Sequence, residues 1–163
     1  ETPMYPSREV RDAGIASSAA QPPADLRADY TAACSRLAVA LETMPAAAWT
    51  ATVRNGQGRP VPATDVPWIR AKEMWVHGVD LGTDLTFADV PADFCAALVD
   101  EVHALFVERG SAPAATVVAT DVDRTWGSGA ARIEGPVAAV VAWLTRSDSS
   151  GLRGDVPPAP AWI

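Results

Sequence analysis

The sequence predicts an α+β chain, and three observations carry that prediction. Apolar residues recur at three- and four-residue steps across 23–44, 64–81 and 91–109, the spacing of one helical face. From residue 114 the period drops to two, through Thr116-Val117-Val118-Ala119-Thr120, Arg124-Thr125-Trp126 and Ala131-Arg132-Ile133-Glu134, which reads as three strands. Gly135-Pro136 then opens a further helix to about Leu144. Helices come first and a mixed unit of helix, strands and helix follows, so two zones are expected, 1–88 and 89–163.

Each element has its own signals. Ser7 is a helix cap for 7–20, with Val10, Ala13 and Ile15 as apolar contacts, and Pro22-Pro23 breaks that helix. The helix over 23–44 carries Leu26, Tyr30, Ala33, Leu37, Leu41 and Met44 on one stripe and stops at Pro45. Residues 49–62 change character: Thr and Val alternate before Asn55-Gly56, a turn signal, and Val61 follows it. This predicts a short hairpin or an extended loop. Thr64 or Asp65 caps the helix over 64–81, Pro67 fits its first turn, and Gly82 closes it. Pro91 opens the helix over 91–109, whose stripe is Phe94, Leu98, Val102, Leu105 and Phe106, and Arg109-Gly110 ends it. Gly127-Ser128-Gly129 reads as a tight turn between strands, without the pattern of a phosphate-binding loop. The tail, 147–163, is rich in Gly and Pro and ends in the apolar pair Trp162-Ile163.

Composition bounds the function. The 163 residues are 48% hydrophobic and 20% charged, the range of a folded chain rather than a disordered one. The 13 basic and 20 acidic residues give a net charge of −7, which leaves no basic surface for a nucleic-acid partner. No run approaches the ~20 apolar residues that cross a bilayer. Cys34 and Cys95 lie far apart in helical patterns and form no metal-like pair, so both read as small buried hydrophobes in a reducing, cytoplasmic setting. The opening Glu1-Thr2-Pro3-Met4-Tyr5-Pro6 has neither the basic nor the apolar region of a signal peptide and reads as a loop from within a longer protein.

Only two histidines are present. His103 sits beside Glu101, off the apolar stripe of its helix, and reads as a solvated side chain. His77 follows Glu73 by four residues, so the two stack on one helical face, and Asp80 adjoins that face. Two readings are open at this spacing. Glu and His are both ligands for a divalent ion such as Zn²⁺; equally, they form an ordinary surface pair. Trp68 and Trp75, seven apart on the same helix, read as packing residues, as do Trp126 and Trp143.

The segment Trp68-x-Arg70-x-x-Glu73-x-Trp75-Val76-His77-x-Val79-Asp80-Leu81 resembles the signature helix of the mycothiol-dependent maleylpyruvate isomerase family. Further similar segments occur in the same order. Glu1-Thr2-Pro3-Met4-Tyr5-x-Ser7 with Arg11 resembles the loop before the family's third bundle helix. Ala142-Trp143-Leu144-Thr145-Arg146 and Pro160-x-Trp162-Ile163 resemble its C-terminal domain.

The resemblance implies a DinB-like four-helix metal-binding domain, of which 1–88 is the C-terminal half, followed by a small α+β domain over 89–163. It implies that Glu73 and His77 are zinc ligands; their i,i+4 spacing in an otherwise apolar, Trp-rich helix leads us to expect that they face one interior cavity. The family's third protein ligand, a His on an earlier helix, and two upstream bundle helices have no counterpart within 1–163. A second chain or an N-terminal fragment is therefore expected to complete the bundle.

The activity implied is isomerisation of maleylpyruvate to fumarylpyruvate. Zinc lowers the pKa of the thiol of mycothiol. The thiolate adds to the cis double bond, the resulting single bond rotates, and elimination restores the double bond in trans. The substrate is a dianion, and arginine matches a carboxylate bidentately. Arg11 and Arg146 are the candidates for that contact, with Arg153 as a weaker alternative to Arg146. Two other readings stand beside this one: a mycothiol S-transferase acting on another electrophile, and a non-catalytic remnant or binding module with an incomplete metal site.

Overall fold

A computed structural model describes residues 5–56 and 58–162. The loop expected at Glu1–Met4, and Gln57 and Ile163, lie outside the described residues. The architecture is α+β, and the chain divides into two compact units, Glu1–Ile69 and Arg70–Ile163.

In the first unit, α1 spans Arg8–Ala19 and α2 spans Pro23–Glu42. The Ser7 hydroxyl accepts from the Val10 amide at 3.3 Å, the capping role expected of it. Pro23 supplies the first residue of α2, where its missing N–H costs nothing. Neither helix contains a fully buried residue. On α2 the half-buried positions are Leu26, Cys34, Leu37 and Leu41, so Cys34 rather than Ala33 continues the stripe, and Cys34 is not fully buried as expected. The Asn55-Gly56 turn does join two strands. β1 (Thr52–Arg54) pairs antiparallel with β2 (Pro60–Pro62). The Asn55 side chain accepts from the Arg59 amide at 3.0 Å and fastens the turn. A 3-10 turn, Ala63–Asp65, leads into α3, Val66–Asp80, which runs from the first unit into the second.

The second unit is built on α4 (Ala92–Glu108), α5 (Val137–Arg146) and a four-stranded sheet. The strands are β3 (Ala115–Ala119), β4 (Thr125–Trp126), β5 (Ala131–Gly135) and β6 (Arg153–Gly154), in the order β4-β3-β5-β6. β3 and β5 are parallel, in register Ala115↔Ala131 to Ala119↔Gly135, and both edge strands are antiparallel to their neighbours. Along β3 the residues alternate between buried and half-buried, so one face carries the core. Leu98, Val102 and Phe106 of α4, Val140, Trp143 and Leu144 of α5, and Val117 and Ile133 of the sheet are its buried centre. Trp126 is buried as well, and its Nε1 donates to Asp100 at 2.7 Å.

Two glycine positions explain the strand order. After β4 the chain crosses the start of β3, and a Cβ on Gly129 would stand 2.1 Å from the Ala114 carbonyl. No other residue lets the backbone pass there. Gly154 has φ +108° and a Cβ on it would lie 2.2 Å from the Arg132 carbonyl oxygen, so glycine alone lets the tail add β6 to the sheet edge.

Cys95 is fully buried in α4, and burial, helped by the negative charges of Asp121 and Asp93, pushes its thiol up to about 11. A raised acid pKa means that the folded state holds the proton more tightly than the unfolded chain. That contribution is complete below the unfolded value of ~8.5 and is lost as pH rises towards 11. Stability should therefore fall between about pH 8.5 and 11 by something on the order of 2 kcal/mol from this group. Urea titrations across that range should show the fall, and Cys95→Ala should flatten it.

Candidate metal site

α3 places Glu73 and His77 one turn apart. Glu73 Oε2 lies 3.3 Å from His77 Nε2. The other ring nitrogen, Nδ1, lies 2.7 Å from Asp80 Oδ2. Asp80 is the last residue of α3, and Arg146, in the last turn of α5, grips it with two parallel bonds. Nε donates to Oδ1 and Nη2 to Oδ2, each at 2.7 Å. The third arm of the guanidinium, Nη1, donates to the Thr145 carbonyl at 2.7 Å, and the Trp162 ring lies 5.8 Å from Cζ. The whole chain of contacts, from Glu73 to Trp162, lies within the second unit. The hydrogen bonds from Arg146, more than the neighbouring His77, hold the Asp80 carboxyl down at about 2, so it is a carboxylate at any ordinary pH.

The donor set fits a divalent ion in part. With bonds of ~2.0–2.1 Å to nitrogen and ~2.0–2.2 Å to oxygen, two donors on a tetrahedral ion stand about 3.3–3.5 Å apart. The Glu73–His77 separation matches that span. The Nδ1 edge of the ring faces Asp80 and the Nε2 edge faces the Glu73 carboxylate, so a ring protonated on Nδ1 would offer its Nε2 lone pair beside that carboxylate. Asp80 is not a third ligand, because it faces the opposite edge of the ring. Among the described residues no group of three or more His, Cys, Asp or Glu side chains is placed to hold a metal ion.

One expectation is corrected here. Glu73 and His77 do not face an enclosed cavity: their side chains are 58% and 57% exposed. They do share a face, as their spacing required.

Of the arginines, Arg146 is brought to the His77 cluster through Asp80. Arg11 belongs to the first unit, where its Nη1 donates to Asp12 at 3.0 Å and its guanidinium lies 5.9 Å from the Tyr5 ring. Arg153 lies exposed on β6, paired in register with Glu134. Lys72 pairs with Glu101 of α4. Asp80, which the spacing placed beside the Glu73–His77 face, and Trp162, part of the terminal motif, are further participants whose contacts with Arg146 the sequence did not foretell. For Asp80 the i,i+3 spacing from His77 was the available signal; for Trp162 none was present beyond its place in a terminal motif.

Comparison with known proteins agrees with the architecture. The profile described as the mycothiol maleylpyruvate isomerase N-terminal domain matches residues 1–82. Two solved structures, of a mycothiol-dependent maleylpyruvate isomerase and of a variant with one histidine replaced by alanine, superpose with TM-scores of 0.86 at 31% identity. Each match covers 99% of this chain and 70% of the other. No curated protein matches the sequence significantly. With half of its residues matched by the family profile and nearly all of them by these structures, the chain belongs to the mycothiol maleylpyruvate isomerase family.

Proposed function

We propose that the protein isomerises maleylpyruvate to fumarylpyruvate with mycothiol as thiol cosubstrate and Zn²⁺ held by Glu73 and His77. The observation that carries the reading is the 3.3 Å separation of Glu73 Oε2 and His77 Nε2 on a helix of the matched family segment. A divalent ion bound there supplies a Lewis acid that lowers the pKa of a coordinated thiol.

The chain's own residues do the rest. Glu73 and the Nε2 lone pair of His77 bind and orient the ion. Arg146 uses three of its five N–H donors on Asp80 and Thr145, which leaves two for a substrate carboxylate. The resemblance of its loop makes Arg11 the proposed second cation for the dianion. A dianion entering a protein site needs such partners, because an unpaired buried carboxylate is costly.

Residues 1–88 are proposed as the helical metal-binding half of a four-helix bundle and 89–163 as the α+β domain that brings Arg146. The exposed Val10 and Ile15 of α1, and Tyr30 and Val39 of α2, support a bundle completed by helices beyond these residues, from an N-terminal fragment or a second chain. No helix among the described residues is long and apolar enough to cross a membrane. A cytoplasmic setting is part of the proposal, in keeping with two cysteines that are both free.

The test is direct. Full-length protein, maleylpyruvate and mycothiol should yield fumarylpyruvate. Omitting mycothiol or adding a zinc chelator should stop the reaction, and returning zinc should restore it. Conversion that proceeds without the thiol, or thiol conjugates of other electrophiles in place of fumarylpyruvate, would overturn the assignment.

A further inference from the structure

We propose that Asp80 is the positioning residue of this site: it fixes the ring of His77 through Nδ1 and is itself fixed by Arg146. The inference rests on the metal-pair reading above and adds to it the residue that decides which ring nitrogen is offered.

A neutral imidazole carries one proton, on either nitrogen. Left alone beside Glu73, His77 gains a hydrogen bond by placing that proton on Nε2 and donating it to the carboxylate. The lone pair is then on Nδ1, and the pair with Glu73 is closed to a cation. Asp80 competes for the proton from the other edge, at 2.7 Å against 3.3 Å for Glu73. The shorter contact favours the Nδ1–H form, which leaves the Nε2 lone pair towards Glu73.

Asp80 stands where a carboxylate is otherwise disfavoured. It ends α3, at the negative pole of the helix dipole. Arg146 offsets that charge with the two-bond fork, and a fork fixes direction as well as distance. Arg146 in turn is held by the Thr145 carbonyl and by the face of Trp162, whose carbonyl accepts from Arg109 of the α4 C-terminus at 3.0 Å. The His77 ring is thus anchored through α5 and the C-terminal tail to the second unit's core. A plain surface ion pair between Asp80 and Arg146 would contribute little to stability and would set no tautomer.

Two readouts in the full-length protein test this. Zinc affinity, measured by competition with a chromophoric chelator, should fall about 10- to 100-fold in Asp80→Ala, the range of a lost outer-shell partner. Arg146→Ala should weaken it in the same direction by less. In metal-free protein at a pH where the ring is neutral, ¹⁵N NMR should find the His77 proton on Nδ1 in the wild type and on Nε2 in Asp80→Ala. The isosteric Asp80→Asn serves if the alanine variant does not fold: its side-chain oxygen still accepts from Nδ1, so the tautomer should persist while the Arg146 fork is lost. A wild-type proton on Nε2, or an Asp80→Ala protein with unchanged affinity and tautomer, overturns the proposal. If His77→Ala leaves zinc binding intact, the metal-pair reading fails, and the ring tautomer still decides the role of Asp80.

Discussion

Replacing His77 by alanine in the full-length protein should abolish tight zinc binding, and turnover of maleylpyruvate should go with it. A catalytic zinc has three protein ligands and an open position. Removing one leaves two, and the loss should exceed the ~10–100-fold typical of an outer-shell partner. Glu73→Gln should act in the same direction, since the amide keeps the shape but gives up the anionic oxygen facing Nε2. His103 makes the control. It lies half-buried in α4, outside the chain of contacts from Glu73 to Trp162, so His103→Ala should bind zinc as the wild type does. Metal content after dialysis and a chelator competition for each variant check all three outcomes.

The second large effect is on stability. Trp143→Ala should destabilise the second unit by about 3–5 kcal/mol, the cost of deleting a large buried aromatic side chain. Trp143 is 1% exposed, and its Nε1 donates to the Pro157 carbonyl at 2.9 Å. One side chain therefore both fills the α5 side of the core and ties the tail to it. Urea unfolding should show a much lower midpoint. Trp143→Phe keeps most of the volume and loses the tie to Pro157. It should cost less, with the hydrogen bond accounting for about 1 kcal/mol.

What the sequence made legible follows from which interactions are local. Ser7, Pro23 and Gly110 mark helix ends through bonds and torsions within one turn, and the structure places α1, α2 and α4 within a residue or two of the expected limits. Asn55-Gly56 marks its hairpin for the same reason. The strands β3, β4 and β5 were legible from their period of two, but not their order. The parallel β3–β5 pair depends on where the chain crosses at Gly129, a contact with Ala114 that no periodicity encodes. β6 is two residues inside a Gly/Pro-rich tail, too short to show alternation; only its pairing with Ile133 and Glu134 defines it.

The site divides in the same way. Glu73 and His77 share a face because 3.6 residues make a turn, so their pairing could be read from spacing. Their exposure could not, because it depends on what covers α3. Arg146 could be named as a cation for an anionic substrate, on resemblance and charge. Its fork with Asp80 joins α5 to the end of α3, and only the folded second unit reveals it.

The pairing of Glu73 and His77 around a metal ion is tested most directly by anomalous diffraction at the zinc absorption edge, from crystals of the full-length protein grown with stoichiometric zinc. A single strong peak within bonding distance of both Glu73 Oε2 and His77 Nε2, with Nδ1 still on Asp80, is the predicted result. A peak bound by other side chains, or none at full zinc loading, would contradict it.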